Sequence, residues 1–265
     1  MITLPSCSGS EVWSEKVPPP ITIIYGQPKI GKTTFACGAP KPIVIQTERG
    51  AAGLPVPKIP PSPCDSWGQL LECVSALLKD DHDRKTVILD TVDLAETLCM
   101  DHVCRKMFDN DWDKYAAYGR GAVATAGEFR RLVNGLTMLR DNLEMNVIVI
   151  AHEGLQRGAN MMGDDYQKFG GKLDKRTWAT IRDWADQVLH ATMKMHVTGG
   201  DHDRRTGKQT SLAKVKGSGD ERVLISHGSP ARDAGCRAGY ELPKEINLSW
   251  EEYHQHMKEK INAED

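Results

Sequence analysis

Residues 26 to 33 read Gly26-Gln27-Pro28-Lys29-Ile30-Gly31-Lys32-Thr33, two glycines with four residues between them, then lysine and threonine. The short apolar, β-branched run Ile21 to Tyr25 precedes them, and Lys32-Thr33-Thr34-Phe35-Ala36-Cys37 continues them in a helix-forming pattern. Strand, glycine-bearing turn and helix start together form a cradle. Its backbone N–H groups and the positive end of the helix dipole point at phosphate oxygens. This is the phosphate-binding P-loop pattern, and it makes Gly26 through Thr34 the expected contacts of a nucleotide, ATP. Lys32 is placed to reach the β- and γ-phosphates, and the Thr33 hydroxyl to ligate Mg²⁺.

The rest of the chain alternates in a way that suits such a loop. A second strand, Ile43 to Gln46, ends in Thr47-Glu48-Arg49-Gly50. Thr86-Val87-Ile88-Leu89-Asp90 is a buried-strand pattern closing on a carboxylate, the Walker B arrangement. Asp90 is the expected Mg²⁺ partner through water, with Asp93 as the alternative. Asn146 to Ile150 is another apolar run, followed by Ala151-His152-Glu153. Between these strands, Trp67 to Leu78 carries apolar residues at helical spacing, and 92–142 reads as mostly helical with a break near Tyr118-Gly119-Arg120-Gly121. Strands alternating with helices imply an α/β fold, a mainly parallel sheet flanked by helices. Ligands then sit at the carboxyl ends of the strands, where Glu48, Asp90 and His152 all fall. Residues 1–19 read as a lead-in and 20–265 as one domain. Its core covers about 20–198, and a hairpin-rich C-terminal part covers about 199–265. The signals there are the turns Gly199-Gly200 and Gly217-Ser218-Gly219, the strand Val223 to Ile225 and the helix Trp250 to Ile261.

The net charge of -2 over 265 residues excludes a whole-chain basic field, so any nucleic-acid site must be local. The local candidate is 154–176, a glycine-bearing segment with little helical or strand periodicity, read as a long loop. Gly154 to Arg182 carries six basic residues against three acidic. Arg157, Lys168, Lys172, Lys175 and Arg176 interleave with Tyr166 and Phe169, a composition that suits single-stranded DNA as well as a plain solvated loop. Trp178 to Leu189 reads as a helix leading into a strand from Val188 to Val197. The seven cysteines, odd in number and scattered, argue against a disulfide framework and suit a reducing cytoplasm. Cys99, His102 and Cys104 match no zinc spacing and read as thiols on a helix. No run approaches transmembrane length, and the first residues do not read as a signal peptide.

These motifs in this order resemble the phage-encoded RecA-like P-loop proteins, a group that includes Sak-type single-strand annealing ATPases. The resemblance rests on Tyr25 to Thr34, Ile43 to Glu48, the Asp90 strand, Tyr118 to Gly121 and Val149 to His152. Trp184-Ala185-Asp186-Gln187-Val188-Leu189 and Asp233-Ala234-Gly235-Cys236-Arg237 complete it. It implies a RecA-like core whose Glu48 acts as general base and whose His152 stands where relatives carry a polar γ-phosphate sensor. It implies assembly into a ring or filament, with Arg237 acting on a neighbour's nucleotide. Relatives carry Lys-Asn-Arg where this chain has Gly235-Cys236-Arg237, so only the arginine remains. The implied activity is Mg²⁺-dependent, DNA-stimulated ATP hydrolysis coupled to annealing or strand pairing. Two other readings stay open. One is a small-molecule phosphotransferase with Arg204-Arg205 near a lid. The other is an accessory that loads single-strand-binding or other replication proteins.

Overall fold

The computed structural model describes residues 17–51, 53–158, 160, 163–194, 196–198, 214–216 and 221–261. In chain order, β1 (Ile21–Gly26) leads through the P-loop into α1 (Lys32–Cys37), and β2 (Pro42–Gln46) follows. A proline-rich loop precedes α2 (Trp67–Lys79), then β3 (Thr86–Asp90), α3 (Val92–Met107), α4 (Trp112–Ala116) and α5 (Arg120–Leu143). Next come β4 (Asn146–Gly158), β5 (Tyr166–Gly171), α6 (Lys175–Trp184) and β6 (Gln187–Met193). The C-terminal part holds β7 (His196–Thr198), β8 (Lys214–Lys216), β9 (Arg222–Ile225), β10 (Gly235–Cys236), β11 (Glu245–Asn247) and α7 (Trp250–Ile261).

Five strands, in the order β6-β1-β4-β3-β2, form a parallel core, and β9 and β11 extend it antiparallel beyond β6. All six residues of β1 and all five of β3 are buried, which explains their unbroken apolar runs: both faces of the sheet are covered. Ile21, Ile23 and Tyr25 point into one core with Trp67, Phe129 and Leu132 from α2 and α5, while Ile24 points into the other with Phe35 of α1 and Tyr253 of α7. The register levels the carboxyl ends. Gly26 lies beside His152 on one side and Ala191 on the other, and Gln46 lies beside Asp90.

The helices start where local chemistry allows. Ser66 caps α2 by accepting the Gln69 N–H, and Asp174 caps α6 by accepting the Arg176 N–H. The break expected near 118–121 is a tight turn with Tyr118 and Gly119 at positive φ between α4 and α5.

Two expectations need correction. Segment 154–176 is not a loop: β4 continues past the sheet to Gly158 and pairs antiparallel with β5, from Glu153↔Gly171 to Gly158↔Tyr166. The helix begins at Lys175, capped by Asp174, rather than at Trp178, and ends at Trp184. The strand after it spans Gln187–Met193 rather than Val188 to Val197. The turns at Gly199-Gly200 and Gly217 to Gly219, and Arg204-Arg205, lie outside the described residues. Among the described residues no helix is long and apolar enough to cross a membrane.

Helix α7 is fastened to the sheet by a buried polar cluster. Tyr253 donates its hydroxyl to Gln187 Oε1 at 2.6 Å, Thr22 donates to the same oxygen at 2.9 Å, and Gln187 Nε2 donates to the Tyr240 carbonyl at 2.8 Å. Tyr253→Phe withdraws one donor from a buried acceptor, so it is expected to lower stability by about 1–3 kcal/mol in urea denaturation. A change below about 0.5 kcal/mol would show that α7 is not held through this bond.

Candidate nucleotide-binding site

The loop after β1 is shaped by two backbone requirements. A Cβ on Gly26 would stand 2.2 Å from the Ala191 carbonyl oxygen, so only glycine lets β1 end this close to β6. Gly31 takes φ 113° just before α1, a conformation that disfavours any side chain. Lys32, the first residue of α1, is buried and donates to the carbonyls of Gly26 and Gln27, each at 2.8 Å. Burial lowers its pKa, and nearby Asp90 offsets part of that.

A cleft of about 650 Å³ opens beside this loop. It is lined by Lys29, Lys32, Thr33 and Thr34 of the P-loop and α1, by Glu48 and Arg49 after β2, and by Asp90 and His152 of β3 and β4. Thr33 donates its hydroxyl to Asp90 Oδ2 at 3.1 Å, which joins the P-loop to the end of β3. Asp90 is 1 % exposed, its Oδ1 has no hydrogen-bond partner, and burial pushes its pKa up to about 6. A buried carboxylate oxygen without a donor, beside a hydroxyl, fits Mg²⁺, which keeps several waters and uses substrate phosphates as further ligands. Thr33 and Asp90 would hold the ion there, and Mg²⁺ when bound would neutralise charge on the phosphates.

His152 and Glu48 face each other in the cleft, with His152 Nε2 3.9 Å from Glu48 Oε1. Asp93, considered as the alternative metal partner, serves another purpose. It accepts from the His152 backbone N–H at 3.0 Å and faces His152 Nδ1 at 2.8 Å. That hydrogen bond raises the His152 pKa against the effect of burial and fixes which ring nitrogen faces the cleft. Burial works against the Asp93 charge, but the bonds from His152 hold its carboxyl below the usual range. Glu48 thus faces the Nε2 side of the same imidazole whose Nδ1 is held by Asp93.

Other expected residues lie elsewhere. Directly opposed residues of an antiparallel pair share a face, so Arg157 and Phe169 project from one face of the β4–β5 hairpin and Lys168 and Tyr166 from the other. Arg157, Tyr166 and Phe169 are exposed, as are Lys172 and Lys175 beyond the hairpin. Lys168 is paired with Asp233 at 2.6 Å, Arg157 with Asp165, and Arg176 with Asp174 at 3.8 Å. Arg237 follows β10, which pairs with the first residues of β6. Its guanidinium is bound to Asp186 and to the Asp183 carbonyl, at the opposite end of the sheet from the P-loop.

Two residues are added by the structure. Arg49, next to Glu48, is exposed in the cleft and has no ion-pair partner among the described residues. Its position directly after Glu48 was the available signal. Arg222 on β9 donates to the Ile30 carbonyl of the P-loop at 3.2 Å, a contact nearly 200 residues away in sequence that no local pattern marks.

A P-loop between parallel strands, with Thr33 and Asp90 joined at its mouth, defines a P-loop nucleotide-binding protein. The chain belongs to the AAA domain family, whose model matches residues 19–238. Among solved structures it is similar to the RadB recombinase, with 15 % identity, 78 % of this chain and 80 % of that chain covered, and a TM-score of 0.41. No curated protein sequence matches it.

Because Asp90 must be ionised to take the ion, Mg²⁺-dependent ATP affinity is expected to rise with pH through about 6, the Asp90 value. Asp90→Asn removes the titrating group and should flatten that dependence while lowering affinity. Calorimetry at fixed Mg²⁺ checks it, and a wild-type affinity constant from about pH 5 to 7 would remove Asp90 from the metal site.

Proposed function

We propose that this chain is a Mg²⁺-dependent ATPase of DNA recombination, similar to the RecA-like Sak-type annealing proteins of phages. It assembles with copies of itself in the cytoplasm, holds single-stranded DNA on the β4–β5 hairpin and promotes annealing or strand pairing. One observation carries this reading: β4 runs unbroken from the cleft, where it presents His152, to the exposed hairpin, where it presents Arg157. A change at the γ-phosphate felt by His152 is thus transmitted along a single strand to the surface that meets DNA. Arg237 fits a role in trans only when a neighbouring subunit draws it away from Asp186.

In the chemistry proposed, Lys32 and Arg49 neutralise phosphate charge from two sides of the cleft. Glu48 orients and deprotonates the attacking water, and His152 reports the γ-phosphate. Glu48→Gln is expected to keep ATP binding and to lower turnover by ~10²–10⁴-fold, the usual cost of losing a positioned base. Turnover within a few-fold of wild type would place water activation elsewhere.

The hairpin makes a second expectation. Both Lys168 and Arg157 have a carboxylate partner, but Lys168 is mostly buried against Asp233 whereas Arg157 stays exposed, so the face with Arg157, Phe169 and Leu155 is the better DNA surface. Phe169→Ala should weaken single-strand binding by ~1–3 kcal/mol with little sequence preference. Arg157→Ala should reduce the log–log salt slope by about 0.7. Fluorescence anisotropy with a labelled oligonucleotide measures both. Unchanged affinity and slope in the two variants would take the hairpin out of the DNA site.

A further inference from the structure

We propose that Cys64 and Cys73 form a peroxide-oxidisable dithiol whose disulfide ties the loop walling the nucleotide cleft to helix α2. The two sulfurs lie 3.7 Å apart, and each residue is only 3 % exposed. Cys64 comes just ahead of the Ser66 cap, and Cys73 lies on the buried face of α2. Backbone carbonyls steady both thiols, Pro61 O at 3.6 Å from Cys64 Sγ and Pro60 O at 3.9 Å from Cys73 Sγ. A disulfide needs a separation of about 2.05 Å, so closure asks for a shift of under about 2 Å shared between a loop and a helix.

The loop matters because of what it touches. Gly53 and Leu54 line the cleft. The chain then runs along β2, with Val44 N–H donating to Pro57 O and Ile59 N–H to Val44 O, each at 3.0 Å. It ends where the Cys64 N–H donates to the Gln46 carbonyl at 2.8 Å, two residues before Glu48. Drawing Cys64 toward α2 therefore pulls on the strand end that carries the base.

The pair is also chemically differentiated. The hydrogen bond from Cys64 holds the Cys73 thiol below its ordinary value, and the same bond together with burial pushes Cys64 up. Cys73 is thus the more readily ionised of the two and Cys64 the resolving thiol. Pro61 and Pro60, whose carbonyls meet the two sulfurs, are themselves exposed, so the thiols lie directly beneath a surface loop, within reach of a small oxidant such as hydrogen peroxide. The Cys73 thiolate attacks one peroxide oxygen, the O–O bond breaks, and hydroxide leaves to give a sulfenic acid. Cys64 Sγ then attacks Cys73 Sγ, the S–O bond breaks, and the Cys64 proton leaves with that hydroxide as water. Two thiols lose two electrons in all, and peroxide becomes two waters.

The test uses the full chain. No lysine or arginine lies between Ile59 and Lys79, so one tryptic peptide, 59–79, carries both cysteines. After mild peroxide, denaturation and alkylation, that peptide should lose about 2 Da and both alkylation sites, and dithiothreitol should restore them. In Cys64→Ser the peptide should instead gain oxygen at Cys73. A wild-type peptide that keeps two alkylatable thiols at a dose that oxidises the half-buried Cys37 overturns the dithiol. The link to the cleft rests on the nucleotide reading, and its readout is ATP affinity. Oxidised protein should differ from reduced by about fivefold or more, and reductant should reverse the shift. An unchanged affinity overturns the link, whereas reduced wild type that binds no ATP overturns the nucleotide reading and leaves the dithiol standing.

Discussion

Strand β1 ends between two others with no room to spare. At Gly26 the neighbouring β6 carbonyl occupies the space where any other residue would place its Cβ. The chain must therefore turn at that point, and the turn is the P-loop. Because β4, β3 and β2 run parallel with β1 in level register, β2 and β3 end at the edge where β1 ends, and β4 crosses that edge at His152. Each delivers a different group there: His152 from β4, Asp90 from β3, and Glu48 just past β2. The cleft lies where β1, β2 and β3 stop and β4 runs on.

Within that cleft the acids are sorted by their partners. Asp90 meets Thr33 and keeps one oxygen open, Asp93 is held by His152, and Glu48 faces the imidazole at longer range. Asp90 is thus set apart on the P-loop side, while Asp93 and Glu48 take the two nitrogens of one imidazole.

Much of this was legible in the sequence because it is local. The P-loop, the run closing on Asp90 and the run closing on His152 are contiguous patterns, and strand burial on both faces writes itself as unbroken apolar residues. The hairpin after His152 was not legible. Gly154, Gly158, Gly170 and Gly171 interrupt it, and its strands are held by pairing with each other rather than by alternation against a core. Side-chain partners were hidden for the same reason. Lys168 with Asp233, Arg237 with Asp186 and Arg222 with Ile30 each join residues at least 50 positions apart. Such pairs decide which cations remain available, and the charge count of a segment does not reveal them.

Helix α1 has only six residues, and Phe35 within it packs against Trp250 and Tyr253 with ring centroids 5.4 and 5.6 Å apart. A helix that short has little stability alone. The aromatic part of its covering is made more than 200 residues later, which at ribosomal speed is on the order of ten seconds or more. During synthesis the nascent chain thus carries a P-loop motif without a finished P-loop helix, and the nucleotide pocket matures only when α7 arrives. A message broken off before Trp250 yields a product with the full signature but with Phe35 left uncovered on its aromatic side.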